Sequence, residues 1–216
     1  MSRTTRRRAI RAVAPVAGLL AAGLLVWQGS YAAFSATSTN QSDAWATGQL
    51  VLKNNGVAGS FLGTTTTPLI NASNIAPGAT SFTRCITVES SGTIAGALKF
   101  YRGAVSDTNV ANPGSNLSSA ISVTVDAAAV GAAAVVDPTC AAAGPNIAFP
   151  GGSTNVVPTT TLAGLPASYA AAGTSMAVAA GTQRVAYRFT WSFPSTASDN
   201  LFQNASTQAD LNWEIR

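Results

Sequence analysis

The sequence contains no histidine, only two cysteines and few charged residues. Charged side chains make up 9% of its 216 residues, whereas hydrophobic residues make up 47%. The absence of histidine excludes Ser/His/Asp and Cys/His nucleophile systems and histidine-ligated zinc sites. Most hydrolase mechanisms are therefore excluded, and we predict a protein that is not an enzyme and that uses no metal or other cofactor.

The acidic residues offer no evident catalytic pair. A pair of carboxylates or a Ser/Lys pair would still be chemically possible, but the eight acids occur singly and without a recurring spacing. They are Asp43, Glu89, Asp107, Asp126, Asp137, Asp199, Asp210 and Glu214. Nucleophile-elbow, phosphate-loop and calcium-loop motifs are also missing. We expect these carboxylates to be solvated surface groups.

The basic residues are concentrated at the N-terminus. Five of the twelve lie within the first eleven positions, and no acid precedes Asp43. Removing those five leaves seven basic against eight acidic residues, a net charge of −1 in place of +4. Because the remaining chain is nearly neutral, we expect no nucleic-acid partner and no lasting attraction to anionic lipid.

Residues 1–32 are predicted to be a signal peptide. The basic stretch Met1–Arg11 precedes the apolar stretch Ala12–Trp27, which contains Pro15. Sixteen apolar residues fall short of the ~20 needed to cross a bilayer. A cleaved signal is therefore favoured over a retained membrane anchor, and membrane contact is expected to be transient.

Small residues at Ser30 and Ala32 predict cleavage by a signal peptidase between Ala32 and Ala33. Residues 33–216 would then form one domain outside the cytoplasm, secreted or at the cell surface. The stretch Thr5–Arg11 loosely resembles a twin-arginine signal, although the ordinary secretion route is favoured. Both routes lead to an oxidising compartment.

Cys85 and Cys140 are the only cysteines, and an exported chain favours a disulfide between them. The enclosed loop of roughly 56 residues gives a stabilisation of about 4 kcal/mol from chain entropy. Two separate thiols would instead require a reducing compartment.

Period-two alternation predicts strands. The clearest case places Val185, Tyr187, Phe189, Trp191 and Phe193 on one face, with small or polar residues between them on a solvated face. Further alternating runs are Trp45–Lys53, Thr80–Glu89, Ile94–Arg102, Ile121–Asp126 and Leu211–Arg216. Short strands separated by Gly and Pro turns predict an all-β fold, an antiparallel, jelly-roll-like β-sandwich.

The connections carry further expectations. Ser90-Ser91-Gly92 is predicted to close a hairpin, and Pro138–Pro158 to be a long surface loop that the disulfide anchors. Leu162–Ala172 is a candidate for a short helix despite Pro166, and Ala127–Ala134 is ambiguous between helix, strand and loop.

Trp45, Trp191 and Trp213 are candidates for sugar-stacking platforms. Trp191 and Trp213 share the apolar faces of their predicted strands, which favours a place in the core.

The segment Tyr31–Ser35, followed by Trp45–Leu52, resembles the signal junction of the TasA and camelysin-like exported bacterial proteins, with an aromatic-Ala-Ala-Phe region followed by an aromatic-Ala-x-Gly-x-Leu-x-Leu strand. Ala76–Thr80, before the predicted Cys85 strand, is similar to the Pro-Gly-x-Thr step of that family. The resemblance covers about a third of the chain.

This resemblance implies a jelly-roll-like sandwich, a dedicated signal peptidase and a role in biofilm matrix fibres or on the cell surface. Camelysin-like members have been described as metalloproteases, but a chain without histidine offers no ordinary zinc site, and no catalytic residue is carried over.

Two functions follow as hypotheses. The first is a structural subunit that self-associates or joins other matrix components, either with Ala33–Asn40 as a strand added to a neighbour or with that segment as an unstructured tail. The second is a secreted binding module for carbohydrate or another surface.

Overall fold

The computed structural model describes residues 49–56, 60–65, 67–73, 75–78, 81–109, 112–195 and 201–216. Within these residues the strands are β1 (Leu52–Asn54), β2 (Phe82–Ser90), β3 (Gly96–Thr108), β4 (Ser122–Val130), β5 (Thr154–Thr161), β6 (Met176–Val178), β7 (Gln183–Ser192) and β8 (Ser206–Ile215). The predicted signal peptide, the Ala32/Ala33 cleavage site and Trp45 lie outside the described residues.

The strands form two antiparallel sheets. The larger sheet has the order β1-β2-β7-β4-β5, and the smaller sheet has the order β6-β3-β8. The chain passes from one sheet to the other between β2 and β3, β3 and β4, β5 and β6, β6 and β7, and β7 and β8. The prediction of an all-β, jelly-roll-like sandwich is confirmed.

The core contains the residues that alternation predicted. On β7, Val185, Tyr187, Phe189 and Trp191 are at most 6% exposed. Phe100 of β3 faces them from the other sheet, with its ring centroid 5.1 Å from that of Phe189 and 6.4 Å from that of Tyr187. These tilted and edge-on ring contacts join the two sheets.

The hydroxyl of Tyr187 is buried without a hydrogen-bond partner among the described residues, and burial raises its pKa. Substituting Tyr187→Phe removes this oxygen, so we expect the free energy of unfolding at neutral pH to stay unchanged or to rise by about 1 kcal/mol. The folded protein holds the tyrosine proton more tightly than the unfolded chain, whose phenol ionises near pH 10. The stability of the wild type should therefore fall above about pH 10, and less steeply in the variant. Urea unfolding at pH 7 and pH 11 measures both effects. A loss of about 2 kcal/mol or more of unfolding free energy in Tyr187→Phe at pH 7 would contradict the prediction.

The predicted hairpin at Ser90-Ser91-Gly92 is wrong, because β2 and β3 lie in different sheets. Strand β2 already has β1 on one side and β7 on the other, so β3 has no free side to pair with. The connection instead packs against the segment before β1. The carbonyl of Gln49 accepts the Thr93 N–H, and a side chain at Gly92 would collide with it.

Two other expectations about connections need correction. The predicted loop Pro138–Pro158 ends early, because β5 begins at Thr154 and contains Pro158. A proline is tolerated there because β5 is an edge strand. The candidate helix Leu162–Ala172 forms turns, and Ala127–Ala134 is strand as far as Val130.

Candidate functional site

The predicted disulfide between Cys85 and Cys140 is present, with the two Cα atoms 5.2 Å apart. It fastens the connection between β4 and β5 onto the outer face of the larger sheet. On the β1 side of β2, the Cys85 N–H donates to the Pro138 carbonyl at 3.0 Å, and the Val136 N–H donates to the Thr87 hydroxyl at 3.0 Å.

The outer face of β7 is therefore covered at Ala186 and half-buried at its other positions from Arg184 to Ser192, which corrects the prediction of a fully wet face. Ala186 is completely buried there, together with Cys85 and Val136, in a second apolar cluster. Alternation distinguishes the two faces of a strand, but it does not show whether a loop covers the outer one.

Charged side chains on this outer face are paired with one another. The Arg184 guanidinium lies 2.7 Å from the Glu89 carboxylate, and Arg188 lies 2.8 Å from Asp126. Both guanidinium groups also stack over phenylalanine rings, Arg184 over Phe61 and Arg188 over Phe149. The ion pairs join neighbouring strands of the larger sheet, and the ring contacts attach the segments that contain Phe61 and Phe149 to it, which is a structural role.

Each of the other carboxylates for which a partner is described is held by nearby donors. Asp107 accepts hydrogen bonds from the backbone N–H and the hydroxyl of Ser118. Hydrogen bonds from Thr139 lower the pKa of Asp137. Hydrogen bonding to Arg216, and then to Tyr101, lowers the pKa of Glu214.

Within the described residues no three His, Cys, Asp or Glu side chains come together as a metal site. The prediction of solvated surface carboxylates is wrong for Glu89 and Asp126, whose side chains are only 13% and 15% exposed in their ion pairs. Asp43 and Asp199 lie outside the described part of the chain. The predictions that the protein is not an enzyme and that it uses no cofactor stay predictions.

The sheet edges differ in how they are protected. In the larger sheet, β5 carries Pro158, and the edge beside β2 is occupied by β1 and by the Pro138 segment. These are established ways of blocking an edge.

In the smaller sheet β6 and β8 are the edge strands, and β8 is the longer of the two, with ten residues against three. It pairs with β3 on one side, and no other described strand lies against its second side over ten residues. The N–H and C=O groups of Arg216 form hydrogen bonds with Ala97 of β3, so they point towards that strand. In an antiparallel ladder the direction alternates, so Leu211, Trp213 and Ile215 direct their N–H and C=O groups to the open side.

A groove lies at the end of the sandwich where β2 begins. Its volume is about 250 Å³, and its lining residues are Ile70, Asn71, Ala72, Ser73, Ile75, Phe82, Arg84 and Trp191. Trp191 is 6% exposed, so the prediction that it belongs to the core is confirmed. The ring of Phe82 stacks on it with centroids 4.5 Å apart, and Phe82 is 37% exposed.

Sequence reasoning did not find this groove. The sequence feature that could have indicated it is Arg84, a charged residue at an inward position of β2 between Phe82 and Ile86. Trp213 is half-buried and packs against the core, with its ring centroid 5.7 Å from that of Phe100.

Comparison of the chain with known protein families gives no match, and a search of curated proteins gives none either. The described residues include no helix of the length and apolar character needed for a membrane span.

Proposed function

We propose that the protein is an exported, non-enzymatic structural subunit of the cell surface or extracellular matrix, and that it self-assembles by adding a strand to the open side of β8. The observation that carries this proposal is that, among the described residues, no strand pairs with the second side of β8. Unpaired backbone groups along an edge strand are a template for a further strand from another chain.

Three further features support the same role. The leader and the disulfide fit a protein that leaves the cytoplasm. The resemblance of the signal junction to TasA and camelysin-like proteins implies matrix fibres or a surface location.

The incoming strand has a candidate in Ala33–Asn40, which consists of small or polar residues with one aromatic residue, Phe34, and carries no charge. A segment of this type satisfies the open N–H and C=O groups of β8 without introducing a buried charge. Removing it should therefore leave the sandwich folded and stop assembly.

Electron microscopy and size-exclusion chromatography of the mature chain, residues 33–216, test the proposal. We expect oligomers or fibres from the mature chain and monomers from a chain that begins at Gln41. Monodisperse monomers of the 33–216 chain under all conditions, with its N-terminus intact, would contradict self-assembly.

A substitution on β8 tests the edge itself. Leu211→Lys places an inward-pointing charge on the edge strand, which opposes pairing with another strand. Gln208→Lys adds the same charge at an exposed position of the same strand and is the matched control. We expect assembly to be lost in the first variant and kept in the second, with circular dichroism showing that both are folded. Equal assembly by folded Leu211→Lys protein would place the interface elsewhere.

A further inference from the structure

The groove beside β2 has the composition of a small ligand site. Ligand pockets combine apolar and aromatic walls with a few polar groups that fix orientation. Here Phe82 and Ile75 supply apolar surface, and Asn71, Ser73 and Arg84 supply polar atoms. The volume of about 250 Å³ lies below the ~300–1,000 Å³ of pockets for drug-sized ligands, which suits a single ring.

The aromatic wall is held in place before any ligand arrives. Phe82 stacks on Trp191 with an interplanar angle of 21°, and Trp191 is fixed in the core. Part of the Phe82 ring stays exposed, so aromatic surface remains available in the groove. An immobile ring reduces the entropy lost on binding, and its electron-rich face attracts the polarised C–H groups of a sugar ring.

Arg84 gives the groove its charge. Its one described hydrogen bond runs from Nη1 to the Thr83 carbonyl at 2.9 Å, and it forms none of the described ion pairs. The guanidinium keeps donors free for a ligand, and its planar shape binds a carboxylate through two parallel hydrogen bonds.

This arginine is unusual among the described arginines. Arg184, Arg188 and Arg216 each have a carboxylate partner, and Arg102 donates to the carbonyl of Ala163. An exposed arginine without a carboxylate partner, next to a fixed aromatic ring, fits a ligand that is both cyclic and acidic.

We propose that this groove binds a carboxylated sugar unit of an acidic polysaccharide, with the sugar ring against Phe82 and its carboxylate on Arg84. The chain after the leader has a net charge of −1, so no general positive field attracts such polymers. Binding therefore depends on this one cation. The proposal is independent of strand addition at β8, because the groove lies on the larger sheet and is complete within one subunit.

Calorimetric titration of the mature chain with trigalacturonate, and separately with neutral maltotriose, tests the proposal. Binding is counted per subunit, so the result does not depend on assembly. We expect saturable binding of trigalacturonate and at least tenfold weaker binding of maltotriose. No binding of trigalacturonate, or equal affinity for the two sugars, would overturn the proposal.

Two charge-matched variants locate the site. Arg84→Gln removes the groove cation and should weaken trigalacturonate binding at least about tenfold, the loss expected for a charge-assisted hydrogen bond. Lys53→Gln removes an exposed cation that is not among the lining residues and should leave the affinity unchanged. Equal affinities of Arg84→Gln and wild type would overturn the proposal, and so would equal losses in the two variants.

A third variant tests the geometry. Arg84→Lys keeps the charge and loses the planar fork, so we expect an affinity between those of the wild type and Arg84→Gln. All three substitutions change exposed side chains, and an unchanged melting temperature would show that the sandwich is intact. Wild-type affinity in Arg84→Lys would contradict the two-bond contact with the carboxylate.

Discussion

Reduction of the Cys85–Cys140 disulfide is expected to lower the free energy of unfolding by about 4 kcal/mol, because the bridge closes a long loop of the unfolded chain. The whole stability of a domain is about 5 to 15 kcal/mol, so this loss is a large share of it. In a domain of this size, each kcal/mol of lost stability lowers the melting temperature by ~2–4 °C, so we expect a fall of roughly 10 °C.

A control variant separates the bridge from side effects of the reducing agent. The double variant Cys85→Ala, Cys140→Ala should unfold near the temperature of the reduced wild type and should not respond to reduction. Equal melting temperatures of oxidised and reduced wild type would contradict the expected role of the bridge.

The same reduction should loosen one part of the fold more than the rest. The segment over the outer face packs through Val136 and Phe149 against a small cluster that contains Cys85 itself. Without the bridge, we expect faster amide hydrogen exchange between residues 131 and 149 and little change in β7, whose other face lies in the main core. Uniform change across both regions would show that the bridge stabilises the domain only as a whole.

Phe100→Ala is expected to cost about 3–5 kcal/mol of unfolding free energy, the range for truncating a buried phenylalanine. Phe100 is 2% exposed and contacts the rings of Tyr187, Phe189 and Trp213, so its removal opens a cavity where the two sheets meet. The partners belong to rigid strands in different sheets, which limits how far the cavity can close.

Ile94→Ala is the matched control for that substitution. Ile94 is an exposed apolar residue at 42% and lies before β3 begins, so its truncation should change stability by about 0.5 kcal/mol or less. Urea unfolding of the two variants and the wild type measures the difference. Similar losses in both variants would show that the aromatic cluster does not join the sheets as described.

The alternation of apolar and polar residues was sufficient to predict the strand at the centre of the fold. The alternation from Val185 to Phe193 identified β7 and its buried face, since every second side chain of a strand points the same way. A chain with two cysteines leaves one pairing to choose, and that pairing is present.

Long-range pairing explains what the pattern missed. Ser90-Ser91-Gly92 has the composition of a hairpin turn, yet β7 is separated by more than ninety positions from β2 and occupies the side that β3 would need. The burial of Ala186 depends likewise on a distant segment that the disulfide holds over it.

Predicting the groove would likewise have required knowledge of which distant segments come together. Its wall brings residues 70–73 and Ile75 beside Phe82 and Trp191, and these stretches are separate in the sequence. Arg84 alone interrupted an apolar pattern, and a single charged residue in a strand does not indicate a ligand. The position of β8 at an edge of the described sheet also depends on strand order, which alternation does not determine.

Intact mass spectrometry of the protein recovered from the culture medium or cell surface tests the account most directly. We expect a chain that begins at Ala33 and is two hydrogen atoms lighter than its dithiol form, because Cys85 and Cys140 are joined. Recovery from the cell interior of the full 216-residue chain, with its leader attached and both thiols free, would contradict it.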